Sequence, residues 1–136
     1  MDVLSNALST LLNASRSRRA SVLLSASAGG GSRRIRERLR LLTREGYLEG
    51  LSPGRLKAHS QNEVVVHLKY NSRGEPAIRA LFRVSTPGRR VYVGVSSLWQ
   101  PPAGAGLLVL STPNGLRSDR DARRFNLGGE VLMGIR

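Results

Sequence analysis

The sequence predicts an α+β protein: an N-terminal domain of order α-β-α-β-β over residues 1–78, then a mostly β domain with a short helix over residues 79–136. Two patterns carry this reading. Before Pro76, apolar residues recur at helical spacing in two places, residues 3–12 and 35–42, interleaved with β-rich runs. After Pro76 the apolar stretches shorten and are divided by Gly and Pro, as in strands joined by turns. A chain of 136 residues has room for one domain or two very small ones.

Taken in order, Val3, Leu4, Ala7, Leu8, Leu11 and Leu12 form one helical stripe, with Asp2 near the positive end of the helix dipole. No acid follows until Glu37, and Arg16, Arg18 and Arg19 stand among serines, which is also the composition of a mitochondrial presequence. Core helix is the reading adopted. "RASVLLSAS" reads as a short strand. "AGGGS", residues 28–32, reads as a loop, because three glycines lose too much chain entropy on ordering. Ser32 is placed to cap a second helix with the inward stripe Ile35, Leu39 and Leu42, surrounded by Arg33, Arg34, Arg36, Arg38, Arg40 and Arg44 and stopped at Gly46. "NEVVVHLKY" is a strand and "NSRGEP" a turn. Beyond Pro76, "AIRALFRVS", "RRVYVGV", "GLLVLST" and "GEVLMGI" are the expected strands.

The net charge of +13 arises from 20 Arg and 2 Lys against 9 acids. Such an imbalance repels itself unless a polyanion, nucleic acid or an anionic membrane surface, compensates it. Residues 1–78 carry 13 basic and 6 acidic residues, and residues 79–136 carry 9 and 3, so both halves are cationic. The preference for Arg over Lys has two explanations at this level: a planar five-donor fork suited to phosphates and base edges, or the codon bias of a GC-rich genome. Cys is absent, which excludes disulfides, thiolate metal sites and Cys nucleophiles. No apolar run approaches the roughly 20 residues of a membrane span.

The stretch "LSTPNGLRSDRDARR", residues 110–124, places Ser111, Thr112, Asn114 and Gly115 in a turn before Arg117, Arg120, Arg123 and Arg124. A-form RNA hides its base edges in a deep major groove and displays 2′-hydroxyls in a wide, shallow minor groove. Small hydroxyl and amide side chains on a rigid turn suit that groove, while the arginines, with Arg89 and Arg90 after "STPG", would hold phosphates on either side.

"LFRVSTPGRRVYV", "GAGLLVLSTPNGLRSDRDARRFNLGGEVL" and, more faintly, "REGYLEG" followed by "VVVHLKY" resemble, in this order, the S-eight family of bacterial-type small-subunit ribosomal proteins. The opening helix is similar as well, so the resemblance covers nearly the whole chain. It implies a two-part α+β protein that binds the central domain of small-subunit ribosomal RNA (rRNA) early in assembly, beside neighbouring small-subunit ribosomal proteins, with no cofactor, small-molecule substrate or catalysis. It implies that the loop of Ser111, Thr112, Asn114 and Gly115 enters the minor groove of a distorted RNA helix, with Glu130 of "LGGE" beside it. Ser85, Arg89, Arg90 and Tyr92, in the other matching motif, are RNA contacts in the same reading. Tyr92 and Glu130 keep two readings each: cross-strand packing or base stacking for the first, pairing with an Arg or RNA contact for the second.

Two departures from the family pattern stand out. Pro113 and Asn114 replace a hydroxyl and a Lys, which removes one hydrogen bond and stiffens the turn. The glycine run replaces a Ser- and Lys-rich segment, leaving Arg33 and Arg34 as the N-terminal RNA contacts. This drift, with the acid-poor first 36 residues, favours a mitochondrial matrix ribosome over a plastid or bacterial one. The rival class is a basic DNA- or mRNA-binding regulator, but no helix-turn-helix spacing or zinc motif supports it. A membrane-surface helix at residues 3–19 lacks an aromatic anchor. Ser111, His67 and Asp119 suggest a triad only on paper, since Ser111 lacks a Gly-x-Ser-x-Gly elbow. His59 and His67 have no third ligand spaced to make a metal site. Trp99 in "SSLWQPP" reads as the anchor of a small cluster, and "GAGLLVLS" fails as a dinucleotide fingerprint.

Overall fold

The computed structural model describes residues 3–25, 32–54, 63–98 and 106–136. The chain forms two compact units, residues 1–79 and 80–136. Both mix helices with antiparallel sheet, the α+β class read from the sequence.

The first unit begins with α1 (Val3–Arg16), which buries Leu4, Ala7, Leu8, Leu11 and Ala14 and leaves Val3 at the end of the stripe exposed. Each of its buried leucines contributes roughly 1.5–3 kcal/mol on leaving water. Arg18 adopts φ 56°, and Arg19 N–H closes the helix end on the Ala14 carbonyl at 3.1 Å. Next come β1 (Ser21–Leu24), α2 (Arg33–Arg44), β2 (Leu48–Pro53) and β3 (Val64–Leu68), with the strands in the order β1-β3-β2. The expected glycine loop lies outside the described residues apart from Ser32, whose hydroxyl accepts the Ile35 N–H at 3.4 Å and caps α2. Leu41 joins Ile35, Leu39 and Leu42 in the core. Gly46 ends this helix at φ 89°, a conformation costly for residues with a Cβ, while Tyr47 N–H bonds the Leu42 carbonyl at 2.9 Å. β3 alternates as a half-buried strand should, with Val64, Val66 and Leu68 inward.

The second unit contains β4 (Leu81–Arg83), β5 (Tyr92–Val93), a 3-10 turn (Val95–Ser97), β6 (Leu107–Thr112), β7 (Gly115–Ser118), α3 (Asp119–Arg124) and β8 (Gly129–Ile135). β8 is central: β4 and β5 pair with it, β6 pairs with it too, and β7 closes a hairpin onto β6. Leu108, Leu110, Ala122 and Val131 are fully buried together, with Phe82, Val84, Val93 and Leu98 against them. The Phe82 ring packs directly over Gly134, where a Cβ would lie 2.1 Å from it. Two expected strands contract to three and two residues, because Pro87 and Gly88 bend the chain between them into a tight turn closed by Thr86 and Arg89. β7 is unforeseen as a strand: "GLRS" has one apolar residue and no period, and pairs only because the hairpin folds it onto β6.

Candidate nucleic-acid interface

Thr112 faces Gly115 across the hairpin, leaving Pro113 and Asn114 as a two-residue turn. The Thr112 hydroxyl donates to the Gly115 carbonyl at 2.7 Å and accepts the Asn114 N–H at 3.3 Å. Only 8% of Thr112 is exposed. Its polar group is therefore spent on the turn, whereas Ser111 is exposed on the other face of the strand, as the period of two requires. Asn114 and Gly115 are exposed at the tip, and Gly115 has φ 101°. Arg117 reaches back along the hairpin and donates from Nη2 to the Asn114 carbonyl at 3.5 Å.

A β-bulge decides what lies beside Ser111. Val109 pairs with Met133, but Leu110 pairs with Val131, so Leu132 is an extra residue on β8. Without it Ser111 would face Val131. With it, Ser111 faces Glu130, and Glu130 in turn faces Tyr92 on β5. Directly paired residues project to the same face of a sheet, so Tyr92, Glu130 and Ser111 form one row across three strands. The row borders a shallow hollow of about 530 Å³, together with Thr112, Pro113, Gly128 and Gly129. The two glycines admit close backbone contact: a Cβ on Gly129 would lie 2.1 Å from the Ser111 carbonyl oxygen, and one on Gly128 would lie 2.7 Å from that of Val93.

Tyr92 is 69% exposed, and Glu130 only 9%. Arg90 donates from Nη1 to Glu130 Oε2 at 3.4 Å, so the carboxylate at the floor of the row carries a cation at its rim. Arg89 is exposed beyond the Pro87–Gly88 turn. Ser85 is placed differently from the sequence expectation of an RNA contact. It is 4% exposed; its hydroxyl donates to the Val131 carbonyl at 2.6 Å and accepts the Val91 N–H at 3.0 Å. With both hydrogen bonds made inside the sheet, Ser85 holds the carbonyl beside the bulge and so helps to fix the register.

The arginines after the hairpin separate into two kinds. Arg123 donates from Nη1 to the buried Asp119 carboxylate at 2.8 Å, and the other oxygen of Asp119 accepts the Leu108 N–H at 3.2 Å. That pair joins α3 to β6. Arg120 and Arg124 are exposed. Ser118 caps α3 by accepting the Asp121 N–H at 3.2 Å, with Asp119 and Asp121 in the first turn and Arg123 and Arg124 in the last, as the dipole favours. Sequence reading missed Phe125, which is 55% exposed, with the Arg124 and Arg117 guanidinium carbons 5.5 and 6.0 Å from its ring centre. An isolated Phe at a helix end gives no periodic signal, and only its position directly after two arginines could have marked it.

The family model described as ribosomal protein S8 matches residues 2–135. The chain belongs to the ribosomal protein S8 family. Among its relatives are proteins named small ribosomal subunit protein uS8. That of Rhizorhabdus wittichii is 44% identical over 96% of this chain and 94% of its own length. That of Granulibacter bethesdensis is 43% identical over the same shares, and that of Allorhizobium ampelinum is 42% identical over 98% and 96%.

In the first unit of this S8-family chain, Arg33 and Arg34 are exposed at the start of α2, and Arg33 pairs with Glu37 at 3.3 Å. Such an exposed pair is worth little and yields readily to a phosphate. His67 is bonded to the Ser52 hydroxyl at 2.6 Å. With the Asp119 carboxylate committed to Arg123 and the Leu108 N–H, the paper triad of Ser111, His67 and Asp119 has no free acid. His59, Trp99 and the start of "GAGLLVLS" lie outside the described residues. Among the described residues no three His, Asp or Glu side chains gather as a metal site requires, and no helix is long and apolar enough to cross a membrane.

Proposed function

We propose that this chain is a structural constituent of the small ribosomal subunit that binds its rRNA, with no chemistry of its own. One observation beyond family membership carries the reading: the row of Tyr92, Glu130 and Ser111 opens on a shallow hollow edged by the turn at residues 112–115 and flanked by arginines. A shallow surface lined by a hydroxyl, a carboxylate and an aromatic matches the wide minor groove of A-form RNA, where 2′-hydroxyls both donate and accept. Ser111, Asn114 and Glu130 read the groove, with Thr112 and Gly115 shaping the turn. Tyr92 offers a ring for stacking. Arg89, Arg90, Arg117, Arg120 and Arg124 hold phosphates, supplying affinity and register rather than sequence choice. Arg123 stands behind them through Asp119, Ser85 acts through the bulge, and Arg33 and Arg34 extend the contact to the first unit. In this reading residues 1–78 and 79–136 are two rRNA-binding domains, the target is the central domain of the small-subunit rRNA, and other small-subunit ribosomal proteins are neighbours.

The compartment in this reading is the mitochondrial matrix. Its supports are the acid-free, Ser- and Arg-rich stretch from Val3 to Arg36 and the turn's departure from the family pattern at Pro113 and Asn114. Cell fractionation with an antibody to the chain separates this from a bacterial cytoplasm. The binding reading is tested by titrating the protein against the cognate rRNA and a random duplex of equal length. Selective binding to the rRNA that withstands added salt is expected. Equal affinity for both would leave only non-specific charge.

A further inference from the structure

The binding reading leaves one surface feature unused. Phe125 follows α3 at its C-cap, and its N–H bonds the Asp121 carbonyl at 2.9 Å. Asn126 then turns the chain at φ 56°, and Leu127 N–H returns to the Ala122 carbonyl at 2.8 Å. The backbone beneath this phenylalanine is therefore fixed on both sides, yet its ring stands in solvent instead of the nearby core. Arg117 comes to the ring from β7 and Arg124 from the end of α3. Arg117 Nε is buried without a hydrogen-bond partner among the described residues. This arginine therefore keeps hydrogen-bonding capacity that the fold itself does not use.

We infer that Phe125, with Arg117 and Arg124, is a stacking platform for one unpaired base of the RNA, the two arginines gripping the phosphates on either side of that nucleotide. The inference rests on the rRNA-binding reading and adds a site to it. An aromatic ring beside cationic side chains is the combination by which proteins hold unstacked bases: the ring takes the base face without regard to sequence, and the cations follow the backbone. Base-paired helix has no free base face to offer, so the partner is a bulged, looped or flipped nucleotide. An acidic protein surface is the competing occupant. The arginines alone would satisfy it, and it would leave the ring's exposed face without purpose.

The test measures binding to a full transcript of the cognate small-subunit rRNA by the whole protein and by Phe125→Leu, Phe125→Trp and Arg124→Gln variants, with melting temperatures and salt dependence. Phe125→Leu is expected to weaken binding roughly 5- to 150-fold, the range for losing one base–aromatic stack, with melting temperature and salt slope unchanged. Phe125→Trp should restore binding, whereas Arg124→Gln should flatten the salt slope by about one. One nucleotide protected by the wild type should lose protection with Phe125→Leu, and an abasic replacement there should make wild type and Phe125→Leu bind alike. Equal binding by wild type and Phe125→Leu overturns the inference, as does a defect that appears only when other ribosomal proteins are added. Failure of the wild type to bind the transcript would instead sink the underlying rRNA-binding reading.

Discussion

Ser111 and Thr112 are adjacent hydroxyls with different work, and burial separates them. The Thr112 hydroxyl closes the turn on Gly115 and Asn114, while that of Ser111 faces outward beside Glu130. Ser111→Ala should therefore lower affinity for the cognate rRNA several-fold, by the roughly 0.5–1.5 kcal/mol of one hydrogen bond, leave random-duplex binding unchanged and leave the melting temperature alone. Thr112→Val should lower melting temperature and affinity together, because the Asn114 N–H loses its acceptor. Titration of both variants on both RNAs, beside thermal melts, checks the split. Ser85→Ala should cost about 1–3 kcal/mol, since it leaves the Val131 carbonyl and the Val91 N–H without their buried partner. Denaturant unfolding measures that loss, and an unchanged midpoint would show that the hydroxyl does not hold the bulge.

The site depends on elements that the sequence showed unequally. The helices were legible because their stripes, Leu4–Leu8–Leu11 and Ile35–Leu39–Leu42, have the 3.6-residue period and became the buried faces. β6 and β8 were legible as apolar runs. The bulge at Leu132 was not, because an extra residue in a continuous apolar strand leaves no mark in a run of hydrophobics, yet it alone sets Glu130 opposite Ser111. The burial of Ser85 was hidden for the related reason that a serine beside a turn looks the same whether its hydroxyl faces water or a carbonyl. The "LGGE" glycines were legible as a motif, but their purpose came only from the approach of β6 and the segment around Gly94. Gly129→Ala should cost about 1–3 kcal/mol and loosen β6 from β8, which amide exchange along both strands would report. Arg123→Ala should cost about 3 kcal/mol, the low end for breaking a buried pair because Arg123 is partly exposed, whereas Arg124→Ala should cost only about 0.3–1 kcal/mol, the worth of an exposed cation at a helix end.

Over the whole molecule, the proposed binding draws its affinity from the +13 charge and its selectivity from a few groups of the row and the turn. Removing Arg120 and Arg124 together should flatten the slope of log affinity against log salt by about two, and Ser111→Ala should leave that slope unchanged. Titrations across a range of salt concentrations distinguish these outcomes. Stability has its own alkaline limit in the first unit. The Tyr70 hydroxyl donates to the Arg19 carbonyl. Burial pushes its phenol above the usual value of 10.0, with Arg18 acting in the opposite direction. A group whose folded pKa is raised stabilises the fold below its unfolded pKa and loses that contribution as pH rises through the folded one. Stability should thus fall above pH 10.0, and Tyr70→Phe should remove that step. Unfolding midpoints compared across alkaline pH give the answer.

The central claim is that the hairpin, its row and its arginines meet one rRNA helix, and crosslinking in native extract tests it most directly. Ultraviolet irradiation, purification of the protein with its attached RNA, and mapping of both partners should place crosslinks from residues 111–124 on a single helix of the small-subunit rRNA. The sequence of that RNA would also identify the compartment. Crosslinks scattered over many messages or over DNA would contradict the account.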